Sequence, residues 1–213
     1  MPLDPKLNKF STASPVIASV SFSEIASGEG IVSFLGYTTA DNVTDPGYHL
    51  SANAFKSAST STGKVKNNST ETFTYNFDTP EFNISRDLAG TTAIGFSFSV
   101  TNGNVGTATS YIIFTIQHYD GTTYTDLGTK QSVTITESSA SATQYRDTIL
   151  NIDMTAQHFA VGDSIRIKVE HYCSSAGISN KTFVFYHDPE NSVVGSSTGT
   201  EFKINIPFAT DDI

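Results

Sequence analysis

Five histidines and one cysteine are the residues of this chain most suited to chemistry. Three of the histidines end apolar alternations. His118 follows Ile112, Phe114 and Ile116; His171 follows Ile165, Ile167 and Val169; His187 follows Phe183 and Phe185. Imidazoles converging from three strand ends would make a transition-metal site. If successive strands reverse direction, however, His118 and His187 leave one end of the layers and His171 the other. The expectation is therefore a hydrogen-bonded polar cap at each strand end, with no metal and no cofactor.

Cys173 lies two residues beyond His171, so in a strand the two side chains share a face. A thiol nucleophile needs a base held by a third group in an electropositive setting, and no such group is evident. A buried or edge thiol is expected instead. The chain has no Gly-x-Ser-x-Gly elbow and no His-Glu-x-x-His helix, and "GNVGTATS" has glycines but no lysine, so it reads as a loop. Asp41 and Asp45 flank "NVT", and Asp211-Asp212 lie near the C-terminus, but "DNVTD" lacks the ligand spacing of a calcium loop. Carboxylate pairs of the glycosidase kind are defined by a separation in space that sequence does not carry. No catalytic residue is assigned, and the chain is expected not to be an enzyme. Tyr37, Tyr48, Tyr119 and Tyr124 sit near loops, where a ring can stack on a sugar or simply hold a strand end with its hydroxyl wet. Tyr119 and Tyr124 are the candidates for glycan stacking; the absence of Trp favours the structural role.

The elements that must position these residues are strands. "ETFTYNF" puts Phe73, Tyr75 and Phe77 on one face. "AIGFSFSV" sets Ile94, Phe96, Phe98 and Val100 against Gly95, Ser97 and Ser99, and "SIRIKVEHY" alternates in the same way. Asp120-Gly121 between alternating runs is a hairpin signal. "KSASTSTGKVKNNST" reads as an exposed loop. About ten such segments and no amphipathic helix predict an all-β fold. The expected architecture is an antiparallel two-sheet β-sandwich of jelly-roll type over residues 30–208. An extended N-terminal arm over 1–29 precedes it, and an acidic tail over 209–213 follows. The small side of "GFSFS" (Gly95, Ser97, Ser99) is a candidate surface for close approach of another subunit.

Hydrophobic residues make up 38% and charged residues 15%, with 15 Phe and 9 Tyr, which fits a packed sheet protein rather than a disordered chain. A net charge of -9 with scattered Lys and Arg excludes a phosphate-tracking surface, so no nucleic-acid partner is expected. One cysteine allows no internal disulfide. The prolines and charges of "MPLDPKLNKF" make a poor secretion signal, and no run approaches a membrane span, so synthesis in the cytoplasm is expected with no membrane association.

Two resemblances follow from these segments. "GDSIRIKV" followed by "TFVFYH" resembles the late strands of trimeric jelly rolls of the C1q and tumour-necrosis-factor type. The wider pattern of "MPLDPKLNKF", "EIASGEGIVSFLGY", "YHLSANAF", "YDGTTYTDLGT" and "FAVGDSIRIKVEHY" resembles structural proteins of tailed viruses. That resemblance implies a non-enzymatic capsid-decoration or head-associated protein located in the virion. It would be a homo-oligomer, with a trimer favoured, bound to the major capsid protein or other virion proteins. Leu3, Leu7 and Phe10 would anchor the arm. The alternative it leaves open is a carbohydrate-binding adhesin or receptor-binding domain of a viral fibre or spike.

Overall fold

The computed structural model describes residues 29–39, 47–53, 61–187 and 202–209. They form twelve strands: β1 (Glu29–Thr39), β2 (Gly47–Ser51), β3 (Ser61–Lys66), β4 (Thr70–Asp78), β5 (Arg86–Asn102), β6 (Thr107–Tyr119), β7 (Tyr124–Gln131), β8 (Ile135–Glu137), β9 (Thr143–Phe159), β10 (Ser164–Ala176), β11 (Lys181–Tyr186) and β12 (Lys203–Ala209). No helix occurs among the described residues.

The pairing is nested. β1 pairs β12, β4 pairs β10, β5 pairs β9 and β6 pairs β7, all antiparallel. A long hairpin folded back on itself and wound once gives this pattern, which is a jelly roll. One sheet runs β1-β12-β5-β9, with β11 and β3 extending it beyond the second half of β5. The other runs β4-β10-β6-β7, with β8 also on β6. β2 joins the sheets along one side through a single parallel bridge, His49 to Asp78. The fold is the all-β sandwich that the alternation predicts.

The inner faces meet in a phenylalanine core. Phe77, Phe96, Phe114, Phe185 and Phe202 are fully buried, and Phe96 and Phe114 bring their ring centroids to 4.5 Å across the two layers. Phe77 meets Phe202 edge-on at 4.8 Å. Burying such rings is the main driving force for closing the layers. Gly36 is needed where β1 passes Phe202, because a Cβ there would lie 2.2 Å from the ring. The hairpin expected at Asp120-Gly121 is present, with Gly121 at φ +88°. Asp120 accepts from the Thr122 and Thr123 hydroxyls and from both of their backbone amides. These bonds, the Thr122 hydroxyl foremost, hold its carboxyl well below the usual carboxylate range.

Three local expectations change. Part of the segment expected to be a loop is strand β3, because its backbone pairs with β11; Lys64 and Lys66 also lay their ammonium groups over the Phe73 ring at 5.0 and 4.7 Å. β5 and β9 each run 17 residues, well beyond their apolar cores, since long partners satisfy each other's backbone. The segment His171–Cys173 is mid-strand, because β10 continues to Ala176 against β6.

Candidate functional site

His171 is wholly buried between the layers, edge-on to Phe98 and Phe183. Its Nε2 lies 2.8 Å from Ser110 Oγ, which in turn donates to the Tyr172 carbonyl at 3.0 Å. The hydroxyl has one hydrogen, and the carbonyl takes it. Nε2 must then carry its own proton and donate to the serine, which leaves Nδ1 as an unpartnered lone pair. A Ser–His pair of this polarity cannot activate the serine, since the nitrogen facing the hydroxyl is already protonated. Burial pushes the His171 pKa from 6.5 down to about 3, so the ring is neutral. The expected solvent-facing cap is thus corrected at this position: the imidazole is a core residue.

His118 lies at the opposite end of the sandwich, as strand reversal requires. It is 8% exposed, and its Nε2 is 2.6 Å from Asp163 Oδ2. The same carboxylate oxygen accepts the Ala160 amide at 2.8 Å. Phe159 packs its ring 4.4 Å from the imidazole. A carboxylate that fixes an imidazole is the orienting half of a hydrolytic triad. Among the described residues, however, no hydroxyl or thiol is bonded to this ring. The pair pins the end of β6 to the β9–β10 turn, where Gly162 sits at φ +95° and Phe82 exchanges backbone bonds with Gly162 and Asp163. His187 is buried against Tyr48, Phe77 and Phe185. The three histidines do not converge, and no group of three metal-ligating side chains occurs among the described residues.

Cys173 is buried, and burial foremost raises its pKa to about 12, so it is a packing thiol rather than a nucleophile. Lys181 is a buried feature that the sequence reading missed. Its ammonium is fully enclosed, bonded to Val105 O at 2.5 Å, Ser179 O at 2.8 Å and Ser179 Oγ at 2.7 Å. Three neutral oxygens on two loops satisfy its three donors, which ties the 103–106 turn to the 177–180 turn. A lone lysine before "TFVFY" carries no sequence signal for this.

Tyr119 and Tyr124 do come together, at directly paired positions of β6 and β7. Their rings stack on each other at 4.4 Å, and the Arg166 guanidinium lies 4.1 Å from the centre of Tyr124. Tyr119 Oη donates to Gly121 O. Tyr124 nevertheless stays 42% exposed. Arg166 also makes a two-point bond with Asp78 at 2.7 and 2.8 Å. Tyr111 and Tyr172 form a second stacked pair on the same sheet face, at 4.4 Å and 9°.

The small-residue surface divides. Ser97 and Ser99 are 1% and 2% exposed. The Ser97 hydroxyl donates to Asp147, and that of Ser99 bonds to Tyr186 Oη. They are covered by side chains of β9 and β11, which corrects the expectation of an open face there. Gly95 remains half-exposed. Leu3, Leu7 and Phe10, like Asp41, Asp45, Asp211 and Asp212, lie outside the described residues.

Neither a protein-family model nor a curated protein sequence matches the chain. Solved structures do. An aminopeptidase from a marine sediment archaeon (Thaumarchaeota archaeon) superposes with a TM-score of 0.52 at 10% identity, covering 85% of this chain and 37% of that one. A CocE/NonD family hydrolase from Staphylococcus aureus gives 0.49 at 9% identity over 86% of this chain and 37% of its own. The structure of infectious bursal disease virus, Gx strain, gives only 0.25 at 10% identity, over 81% and 41%. The chain thus spans well under half the length of each of these.

The expectation of a non-enzymatic virion protein, with its fibre or spike alternative, is corrected by these neighbours. The likeness strong enough to define a fold is to an enzyme, whereas the viral one is too weak to argue from. The expectation that the chain is not an enzyme is corrected by the same likeness. What the chain shares with the archaeal aminopeptidase is the fold of its β-sandwich.

Proposed function

We propose that this chain forms the β-sandwich part of a hydrolase, seated against a separate catalytic unit. The observation that carries the reading is the extent of the match. Nearly the whole sandwich, 85% of this chain, corresponds to 37% of an aminopeptidase. A rigid all-β block embedded in a longer enzyme supplies a scaffold or wall to a site built with the remainder. The arrangement of the histidines supports this division of labour. Ser110–His171 is sealed and polarised the wrong way for attack, and His118–Asp163 has an orienting carboxylate but no bonded nucleophile. The substrate class that the aminopeptidase suggests is a peptide with a free amino end.

The test is to isolate the native assembly through a tag on this chain. Its hydrolysis of alanine p-nitroanilide and p-nitrophenyl butyrate is then compared with that of the purified chain. Turnover by the assembly, lost when the chain is removed, is the expected outcome. An assembly that hydrolyses neither compound would sink the reading.

A further inference from the structure

The outer face of the β1-β12-β5-β9 sheet carries small residues beside two exposed isoleucines. Register places Leu35, Lys203, Gly95 and Ile149 in one row across the four strands, and Ser33, Asn205, Ala93 and Asn151 in the next. Ile31 and Pro207 follow along β1 and β12. Ile149 and Ile31 are 72% and 67% exposed, whereas Leu35, Ala93, Gly95 and Pro207 are half-buried. Small residues on β5, with Lys203, Asn205 and Pro207 on β12, therefore lie between two ridges: Ile149 on β9, flanked by Asp147, Asn151 and Asp153, and Ile31 with Leu35 on β1.

We propose that this trough is the seat of an amphipathic α-helix from a partner protein. The ridges stand three strand spacings apart, about 14 Å, and a helix with its side chains is about 10–12 Å across. A helix laid along the strands meets Ile149 on one flank and Ile31 with Leu35 on the other, and rests on Ala93 and Gly95 beside Lys203. Packing a helix stripe on a sheet face is the standard way both elements bury apolar surface. The charges favour the same occupant: Lys203 faces the trough, while Asp147 and Asp153 border its β9 side. A helix with an acid over Lys203 and bases along β9 is complementary. A second copy of this face fits poorly, since a two-fold axis along the strands sets ridge on ridge and leaves both troughs empty. Assigning the helix to the catalytic unit rests on the reading above; the trough itself does not.

The probe is a fluorescein-labelled amphipathic model helix of about 18 residues, or five turns, built from leucine, alanine, glutamate and lysine. Its anisotropy is titrated with the full chain. Saturable binding is expected, weakened at least about tenfold by Gly95→Trp, which fills the trough, and by Ile149→Asp. Ile178→Asp, at a site 83% exposed and outside this face, should leave it unchanged. Gly95→Trp should stay folded, because a Cβ there meets nothing closer than Lys203 O at 3.9 Å. No saturable binding, or binding indifferent to both face substitutions, overturns the proposal. So does sedimentation showing a dimer of the chain that Ile149→Asp dissolves. Helix binding by a chain whose native assembly hydrolyses nothing leaves the trough standing and removes the hydrolase reading.

Discussion

The two outer faces of this sandwich come from the same kind of alternating sequence yet differ in what they leave open. On the β4-β10-β6-β7 sheet, side chains satisfy one another: Arg166 with Asp78, Lys168 with Glu170, Gln117 with Asp126, and tyrosines stacked in two pairs. On the β1-β12-β5-β9 sheet, two isoleucines stand exposed around Ala93 and Gly95. Exposed polar residues are therefore a poor guide to where a partner binds. What distinguishes a docking face is unsatisfied apolar relief rather than the presence of aromatic or charged groups.

The largest effects should come from the layer beneath both faces, and these calibrate the rest. Phe114→Ala should cost about 3–5 kcal/mol in urea unfolding, since the fully buried ring contacts Phe96, Phe185 and Phe202. A loss below about 1 kcal/mol would mean the layers are not clamped as described. His171 adds a pH signature from the same layer. Its folded pKa lies below its ordinary value, so the stability tied to its neutral form is complete above pH 6.5. That stability is lost progressively as pH falls from 6.5 toward 3. His171→Gln should flatten that part of the stability profile relative to the parent chain.

Gly36→Ala comes next, at about 1–3 kcal/mol by thermal unfolding, because the added methyl enters the Phe202 ring position on the inner side of β1. Arg166→Ala tests the self-satisfied face. Its pair with Asp78 is part-exposed, so a loss of up to about 1 kcal/mol is expected. Ile149→Asp tests the open face and should change stability of the isolated chain by no more than about 0.5 kcal/mol. If Ile149→Asp proved the more damaging of the two, the contrast between the faces would be reversed.

Much of the fold was legible. Alternation in "AIGFSFSV", "YIIFTIQHY" and "SIRIKV" marked Ile94, Phe96, Ile112, Phe114, Ile165 and Ile167 as core, and all are fully buried. Asp120-Gly121 marked its hairpin. β3 was missed because its polar composition says loop, and its strand character depends on pairing with β11 and on the Phe73 ring beneath its lysines. The candidate sites were less legible. Tyr119 and Tyr124 were singled out for glycan stacking; their pairing across β6 and β7 and the contact with Arg166, more than forty positions away, come from the fold.

By itself the sequence determined periodicity: which side chains face inward along each strand, where Asp-Gly turns reverse the chain, and hence an all-β sandwich. Those are local properties, set by the two-residue repeat of the pleat. The tertiary structure decided which strand lies beside which. Nested pairing placed β11 and β9 over Ser97 and Ser99 and closed them off, yet left Gly95 open between β12 and β9. The same alternation produced a sealed surface at one end of β5 and a trough at the other, because exposure is a property of neighbours brought together across the fold and not of the residues themselves.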